Sequence, residues 1–179
     1  ELFDFDDTPA RYVRIIGHGN SKNDWNSLTE VEIYTDAEMG SVSKPAPTVP
    51  GARLAVNVVT ASSDDGNVPA NTLDGDLNTR WSAQGDGQWI QFDLGKVKTV
   101  SHLRIAFYKG DQRTTGFDIE LSTDGESWTQ VYSGQSSGST TEPELFDFDD
   151  TPARYVRIIG HGNSKNDWNS LTEVEVYAP

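Results

Sequence analysis

The chain has 179 residues, no cysteine and a formal net charge of −14 at neutral pH. This length allows one ordinary domain with an appendage, and a core that needs no disulfide. The missing cysteines exclude a thiolate metal site and a cysteine nucleophile. The acidic balance argues against a binder of nucleic acid or of anionic membranes, because such proteins need basic surfaces. These features suit a secreted, extracellular protein, and the chain reads as a piece cut from a longer protein.

An internal repeat governs the domain organisation. Residues 1–34 return at 144–177 with one change, Ile33 in the first copy and Val176 in the second. Such identity at a fixed offset indicates a duplicated module. We therefore predict that 1–34 is the C-terminal fragment of an upstream sister module, that the Pro-rich stretch 35–53 is a stiff linker, and that 54–179 is one complete module.

Alternating apolar and polar residues predict short strands throughout the module, and no segment has a helical period. The predicted strands are 54–61, 88–93, 100–107, 116–122, 127–132, 144–148, 153–159 and 172–177. The pair Asp124-Gly125 predicts a hairpin turn. Short strands at this spacing favour an antiparallel jelly-roll β-sandwich of about eight strands. We assign the alternating Ile90, Phe92 and Leu94 to its core, together with three tryptophans, Trp81, Trp89 and Trp128.

A loop rich in oxygen-bearing side chains precedes the first of these tryptophans. Residues 71–79 alternate Asn, Asp, Gly and Thr, which form turns and offer side-chain and backbone oxygens to a hard cation. From these residues alone, an ordinary turn with no metal is the favoured interpretation.

Five motifs together carry a family resemblance over 54–179: NTLDGDLNTRW, QWIQFDLG, FDIELSTDGESW, ARYVRIIGHGN and TEVEVY. In this combination the module resembles the discoidin, or coagulation-factor C-type, superfamily, and within it the family-32 carbohydrate-binding modules. The resemblance implies an eight-stranded β-sandwich with a structural calcium ion and a glycan site on loops at one end. The closing disulfide and exposed apolar spikes of the phospholipid-binding members are not visible here, so we expect no membrane binding. We also expect a bacterial source.

The same resemblance implies a set of calcium ligands. Asp74 and Glu173 would supply carboxylates, Thr79 a hydroxyl and a carbonyl, and Asn71, Asp76 and Thr172 backbone oxygens. An all-oxygen set of this number suits calcium. The alternative is a turn in which Glu173 is solvated.

Two loops concentrate residues that a core does not need, 108–113 and 161–169. Sugar recognition uses planar hydrogen-bonding groups and an aromatic face. The predicted ligand-binding residues are Tyr108, Lys109, Asp111, Arg113, His161, Asn163, Lys165 and Trp168. Alternatives remain for several of them: Arg113 as a solvated cation, Asn163 as a turn former, His161 as a satisfied loop histidine, and Trp168 as an anchor of its loop.

The loop cations favour a carboxylated sugar. Residues 54–179 hold 19 acidic and 9 basic residues, so the basic Lys109, Arg113 and Lys165 stand out. Arginine can bind a carboxylate through two parallel hydrogen bonds. Galactose-binding modules tend to carry a histidine after the tryptophan that ends the metal loop, where this chain has Ser82. The likeness to modules of alginate lyases makes alginate or another uronate polysaccharide the expected ligand.

No credible catalytic set accompanies these loops, because no nucleophile elbow occurs and His102 lies within a strand pattern. We predict a non-catalytic module that directs an appended polysaccharide-degrading enzyme to its substrate. Two alternatives stay open. One is a binder of neutral, galactose-type glycans, and the other is an assembly module that forms a homodimer by exchanging residues 1–34 for 144–177 of a partner.

Overall fold

The computed structural model describes residues 51–179, together with the isolated positions Val13, Ile15 and Val31. The chain divides into two units, Glu1–Pro47 and Thr48–Pro179, and the fold below is that of the second unit. The predicted duplicate at 1–34, its exchange between two chains, and the predicted linker up to residue 50 lie outside the described residues. These three interpretations stay predictions.

Within residues 51–179 the chain forms seven antiparallel strands and one short 3-10 helix, Pro69–Leu73. The strands are β1 (Val58–Ala61), β2 (Trp81–Gln84), β3 (Gln88–Phe107), β4 (Thr115–Ser122), β5 (Thr129–Gln135), β6 (Glu144–Asn163) and β7 (Trp168–Tyr177). Their hydrogen-bonded order is β2-β7-β3-β6-β4-β5, with β1 paired to β3. This confirms the predicted all-β, antiparallel jelly-roll sandwich. No helix of the described part is long and apolar enough to cross a membrane.

The strand number differs from the predicted eight because β3 and β6 each run for 20 residues through positions that the sequence divides into two strands. The pairing of β3 with β6 shifts register between Asp93 and Lys98 and again between Val100 and His102. Such irregularities bend a strand. The first part of β3 pairs with β1 and its last part pairs with β7. The two ends of this long strand therefore have different neighbours. β2 is missed because three consecutive buried residues hide its alternation.

The core follows the alternation of the strands. Ile90, Phe92 and Leu94 are buried, as predicted, and Trp81 is 1% exposed. The prediction is wrong for the other two tryptophans. Trp89 is half-buried because it precedes the inward-facing Ile90 and so points to the opposite face of β3. Trp128 lies in the loop before β5, where the guanidinium carbon of Arg157 is 3.8 Å from its ring centre.

The predicted hairpin turn at Asp124-Gly125 joins β4 to β5. Gly125 has a φ of +81°, a conformation that glycine adopts without steric cost. The carboxylate of Asp124 accepts hydrogen bonds from the backbone N–H groups of Ser127 and Glu126. These bonds lower the pKa of Asp124 to about 2. The turn is therefore held by an ionised side chain at neutral pH.

Candidate functional site

A cleft of about 220 Å³ opens where the loop after β3 meets the adjoining strands β2 and β7. The strand pairing places Ser82 opposite Ser170, and the N–H of Tyr108 donates to the carbonyl of Ser170 at 3.2 Å. These contacts fix the loop against the two strands. The cleft is lined by Asp65, Arg80, Ser82, Tyr108, Arg113, Asn166, Trp168 and Ser170.

Two arginines line this cleft, and the Nε atom of each donates a hydrogen bond within the protein. The Nε of Arg80 donates to Ser82 Oγ at 3.0 Å, and that hydroxyl donates to Ser170 Oγ at 2.8 Å. The Nε of Arg113 donates to the carbonyl of Tyr108 at 3.2 Å. Among the described residues, the terminal amino groups of both guanidinium groups have no hydrogen-bond partner. They are therefore free to bind a ligand.

The ring of Tyr108 is surrounded by cations. The guanidinium carbons of Arg80 and Arg113 lie 4.3 Å and 5.5 Å from its centre, and Lys109 Nζ lies at 5.4 Å. Such distances allow cation–π attraction. Burial lowers the pKa of Arg113, and the charge of Arg80 lowers it further, against the opposing influence of Tyr108. Since arginine stays protonated at neutral pH, the cleft carries two positive charges.

The charge environment separates these two arginines from the others. Within residues 51–179, Arg80 and Arg113 form no ion pair with a carboxylate. Every other arginine there does so, at distances between 2.6 and 3.5 Å: Arg53 with Glu175, Arg104 with Glu175, Arg154 with Asp93, and Arg157 with Glu120. On a module this acidic, two neighbouring unpaired arginines indicate a site for an anion.

Three of the predicted ligand-binding residues, Tyr108, Arg113 and Trp168, line the cleft. Lys109 adjoins it and adopts a φ of 55°, which is uncommon for a residue with a side chain. Asp111 and Lys165 are exposed and do not line the cleft.

The remaining two predicted ligand-binding residues are engaged elsewhere. Asn163 braces its own loop, because its Nδ2 donates to the carbonyl of Trp168 at 2.8 Å. The ring nitrogens of His161 lie 2.7 Å from Asp86 Oδ1 and 3.0 Å from Asp118 Oδ2, and these bonds raise the pKa of His161. His161 does not line the cleft. It lies near the end of β6 and not in a loop, and its ring nitrogens are satisfied by the two carboxylates.

Five residues of the cleft were not predicted: Asp65, Arg80, Ser82, Asn166 and Ser170. From the sequence, Ser82 is notable only as the residue that stands where galactose-binding modules tend to carry a histidine. One local feature could have revealed Arg80: it is a charged residue between the oxygen-rich loop and the buried Trp81. The other positions depend on the pairing of β2 with β7, which no local pattern reveals.

The predicted calcium ligands of the 71–79 loop converge on Thr79. Its Oγ1 lies 2.7 Å from Asp74 Oδ2, 3.1 Å from the carbonyl oxygen of Asp76 and 3.3 Å from that of Asn71. Glu173 faces the same loop from β7, since its Oε1 accepts the N–H of Gly75 at 2.7 Å.

The electrostatics of this loop fit a hard cation. Glu173 is 5% exposed; burial raises its pKa, and the charge of Asp74 adds to the rise. The hydroxyl of the neighbouring Thr172 is buried with no partner among the described residues. No group of three or more His, Cys, Asp or Glu side chains that could hold a metal occurs in this part of the chain. The oxygens that the loop and β7 bring together belong to two carboxylates, to carbonyls and to hydroxyls, a chemistry that would suit calcium better than a transition metal.

Comparisons with known proteins identify the family and the fold of this module. A model of the F5/8 type C domain matches residues 58–174. The family-32 carbohydrate-binding module of AlyQ, solved in complex with 4,5-unsaturated mannuronic acid, is 54% identical, with a TM-score of 0.71 over 72% of this chain and 99% of that one. A pectin-binding carbohydrate-binding module is 32% identical, with a TM-score of 0.66 over 69% of this chain and 91% of that one.

A curated relative differs in length. The BTB/POZ domain-containing protein 9 of Drosophila melanogaster is 25% identical over 171 residues, which are 91% of this chain and 23% of that protein. The chain therefore spans about a quarter of the length of the curated relatives it matches.

Proposed function

The chain belongs to the F5/8 type C domain family and, within it, to the family-32 carbohydrate-binding modules, and we propose that its cleft binds the uronate residues of alginate or a related polysaccharide. The module is a binding module and not an enzyme. The observation that carries the proposal is the pair of unpaired guanidinium groups, Arg80 and Arg113, beside Trp168 in one cleft. In this proposal the module holds an appended polysaccharide-degrading enzyme on its substrate outside the cell.

The chemistry of a uronate matches the walls of the cleft. Its carboxylate can accept two parallel hydrogen bonds from the terminal amino groups of a guanidinium, a geometry that lysine cannot offer. Its ring presents C–H groups that pack against an indole face, as Trp168 could provide. The proposal is supported by two solved relatives, one in complex with 4,5-unsaturated mannuronic acid and the other a pectin-binding module. Both of these ligands are uronates.

The 71–79 loop extends the proposal to a structural calcium ion. The residues that would hold it are Asn71, Asp74, Asp76, Thr79, Thr172 and Glu173. Bound there, the ion would neutralise the two carboxylates and link the loop to β7. Because β2 follows this loop directly, such a link would also fix the position of Arg80.

The proposed function is tested by calorimetric titration of the protein with mannuronate and guluronate oligosaccharides and with galactose, in the presence of calcium. We expect saturable binding of the uronates alone, with a Kd of roughly 10 µM to 1 mM. Arg80→Ala and Arg113→Ala should each weaken binding by at least roughly ten-fold. Arg154→Ala removes the same charge from an ion-paired site outside the cleft and should change little. Binding of galactose alone, or equal effects of the three substitutions, would overturn the proposal.

A further inference from the structure

We propose that Asp65 sets the specificity of the cleft. Its free carboxylate oxygen accepts a hydrogen bond from a sugar hydroxyl, and its negative charge excludes uronates whose hydroxyls are sulfated. The inference deepens the proposed function and rests on it, because it assumes a uronate held by Arg80 and Arg113. Asp65 lines the same cleft as both arginines.

The carboxylate of Asp65 is held in place by its own loop. The N–H of Asp65 donates to the carbonyl of Ser82 at 3.1 Å, which ties the loop to β2. Its Oδ1 accepts two hydrogen bonds from Asn67, from the backbone N–H at 3.0 Å and from Nδ2 at 2.8 Å. Its Oδ2 has no hydrogen-bond partner among the described residues. One oxygen thus orients the group and the other is left for a ligand.

The cleft holds a negative and a positive side chain that do not form an ion pair with each other. Asp65 and Arg80 both line it, yet no ion pair joins them. The hydrogen bond from Asn67 lowers the pKa of Asp65, and the charge of Arg80 makes a smaller contribution in the same direction. The carboxylate is therefore ionised at neutral pH, and the cleft offers a fixed negative group as well as two positive ones.

A ligand must satisfy both kinds of group. A uronate residue carries one carboxylate for the arginines and neutral hydroxyls, one of which can donate to Asp65. A sulfate ester at that hydroxyl removes the donor and brings a second negative charge towards Asp65. Discrimination between related ligands often depends on such a repulsive element as well as on attractive contacts. Asp65 supplies that element in a cleft that two arginines alone would open to any polyanion.

The neighbouring Asp64 provides a matched control. Its Oδ1 accepts the N–H of Gly66 at 2.9 Å, and it does not line the cleft. Asp64→Asn and Asp65→Asn change the net charge equally, one residue apart in the same loop. The test is calorimetric titration of the wild type and both variants, at about 150 mM salt, with alginate oligosaccharides and with the same oligosaccharides sulfated on their hydroxyls.

We expect the wild type and Asp64→Asn to bind the unsulfated oligosaccharides at least roughly ten-fold more tightly than the sulfated ones. Asp65→Asn should weaken binding of the unsulfated ligand by roughly ten-fold and bring the ratio of the two affinities close to one. Asp65→Glu keeps the charge and should still reject the sulfated ligand, which supplies the test if Asp65→Asn fails to fold.

The outcomes separate the two proposals. If Asp65→Asn behaves as Asp64→Asn does, or if Asp65→Glu admits the sulfated ligand, the role of Asp65 is wrong while the proposed function stands. Equal binding of both ligands by the wild type overturns the role of Asp65 as well. If the wild type binds neither ligand, the proposed function fails, and the specificity of Asp65 fails with it.

Discussion

The guanidinium carbon of Arg80 lies 4.3 Å from the centre of the Tyr108 ring. Arg113 approaches the same ring and also bonds the Tyr108 carbonyl. One tyrosine thus orients both cations of the cleft, although they come from different parts of the chain. Tyr108 is therefore a positioning residue in addition to lining the cleft.

Two replacements of Tyr108 distinguish the contribution of its ring to binding from that of its hydroxyl. Tyr108→Phe keeps the ring and should bind uronate oligosaccharides almost as the wild type does. Tyr108→Ala removes the cation–π contacts that position Arg80 and Arg113, together with that of Lys109. The loss of the two arginine contacts is worth roughly 1–2 kcal/mol, which corresponds to about five- to thirty-fold weaker binding. Calorimetry measures both. Tyr155→Ala is the matched control, because Arg154 lies 4.8 Å from the centre of its ring outside the cleft; an equal loss of binding in Tyr155→Ala would contradict the positioning role.

Trp168 should report the ligand directly. It is half-buried in the cleft wall, so a sugar bound there changes the surroundings of its indole. Trp168→Phe should abolish the ligand-induced change in tryptophan fluorescence and weaken binding by roughly 1 kcal/mol. Trp89→Phe, on the outer face of β3, should preserve both the fluorescence change and the affinity. A fluorescence change that survives in Trp168→Phe would show that the ligand binds elsewhere.

The sequence predicts the core because alternation is a local property. Ile90, Phe92 and Leu94 face inwards since each lies two residues from the next, and the same rule, applied to Trp89, would have placed it outside. The continuity of β3 was not predictable in this way. Its polar, glycine-containing middle, Gly95 to Lys98, has the composition of a loop, and only pairing with β6 across a register shift keeps it in a strand.

Fewer than half of the cleft residues were predicted, for a related reason. Tyr108, Arg113 and Trp168 lie in the stretches 108–113 and 161–169, whose composition already indicates binding, although Trp168 is the first residue of β7 in the structure. Asp65 and Arg80 reach the cleft because Asp65 bonds β2, Arg80 bonds Ser82, and β2 pairs with β7. Those contacts join parts of the chain that are far apart in sequence. The calcium ligands were named from a family resemblance, and their role stays a prediction.

The pH dependence of stability should reflect His161. Its hydrogen bonds with Asp86 and Asp118 raise its pKa above the ordinary value of 6.5, so protonation favours the folded state. This stabilisation is complete below pH 6.5 and is lost as the pH rises through the folded pKa. The melting temperature should therefore fall more steeply above pH 6.5 in the wild type than in His161→Gln. The side chain is 40% exposed, so the effect should be small; identical slopes in thermal unfolding would refute it.

Calcium should stabilise the module. Its presence or absence should also decide whether the wild type or Glu173→Gln is the more stable protein. At free calcium about 100 times the Kd, binding to the folded state alone contributes about 2.7 kcal/mol, and a chelator should remove this from the wild type. Without calcium, burial raises the pKa of Glu173, so the contribution of this group to stability is greatest below its ordinary pKa of 4.5 and is lost as the pH rises through the folded pKa.

The two states of the protein therefore predict opposite effects of the same substitution. Glu173→Gln removes a buried charge that is unfavourable without calcium, and it removes a ligand that is required with calcium. In chelator at pH 7 the variant should melt at or above the temperature of the wild type, whereas in millimolar calcium it should melt below it. Magnesium should not replace calcium, because it demands a smaller and more regular shell. A wild-type melting temperature that is unchanged by chelator would show that the 71–79 loop is an ordinary turn.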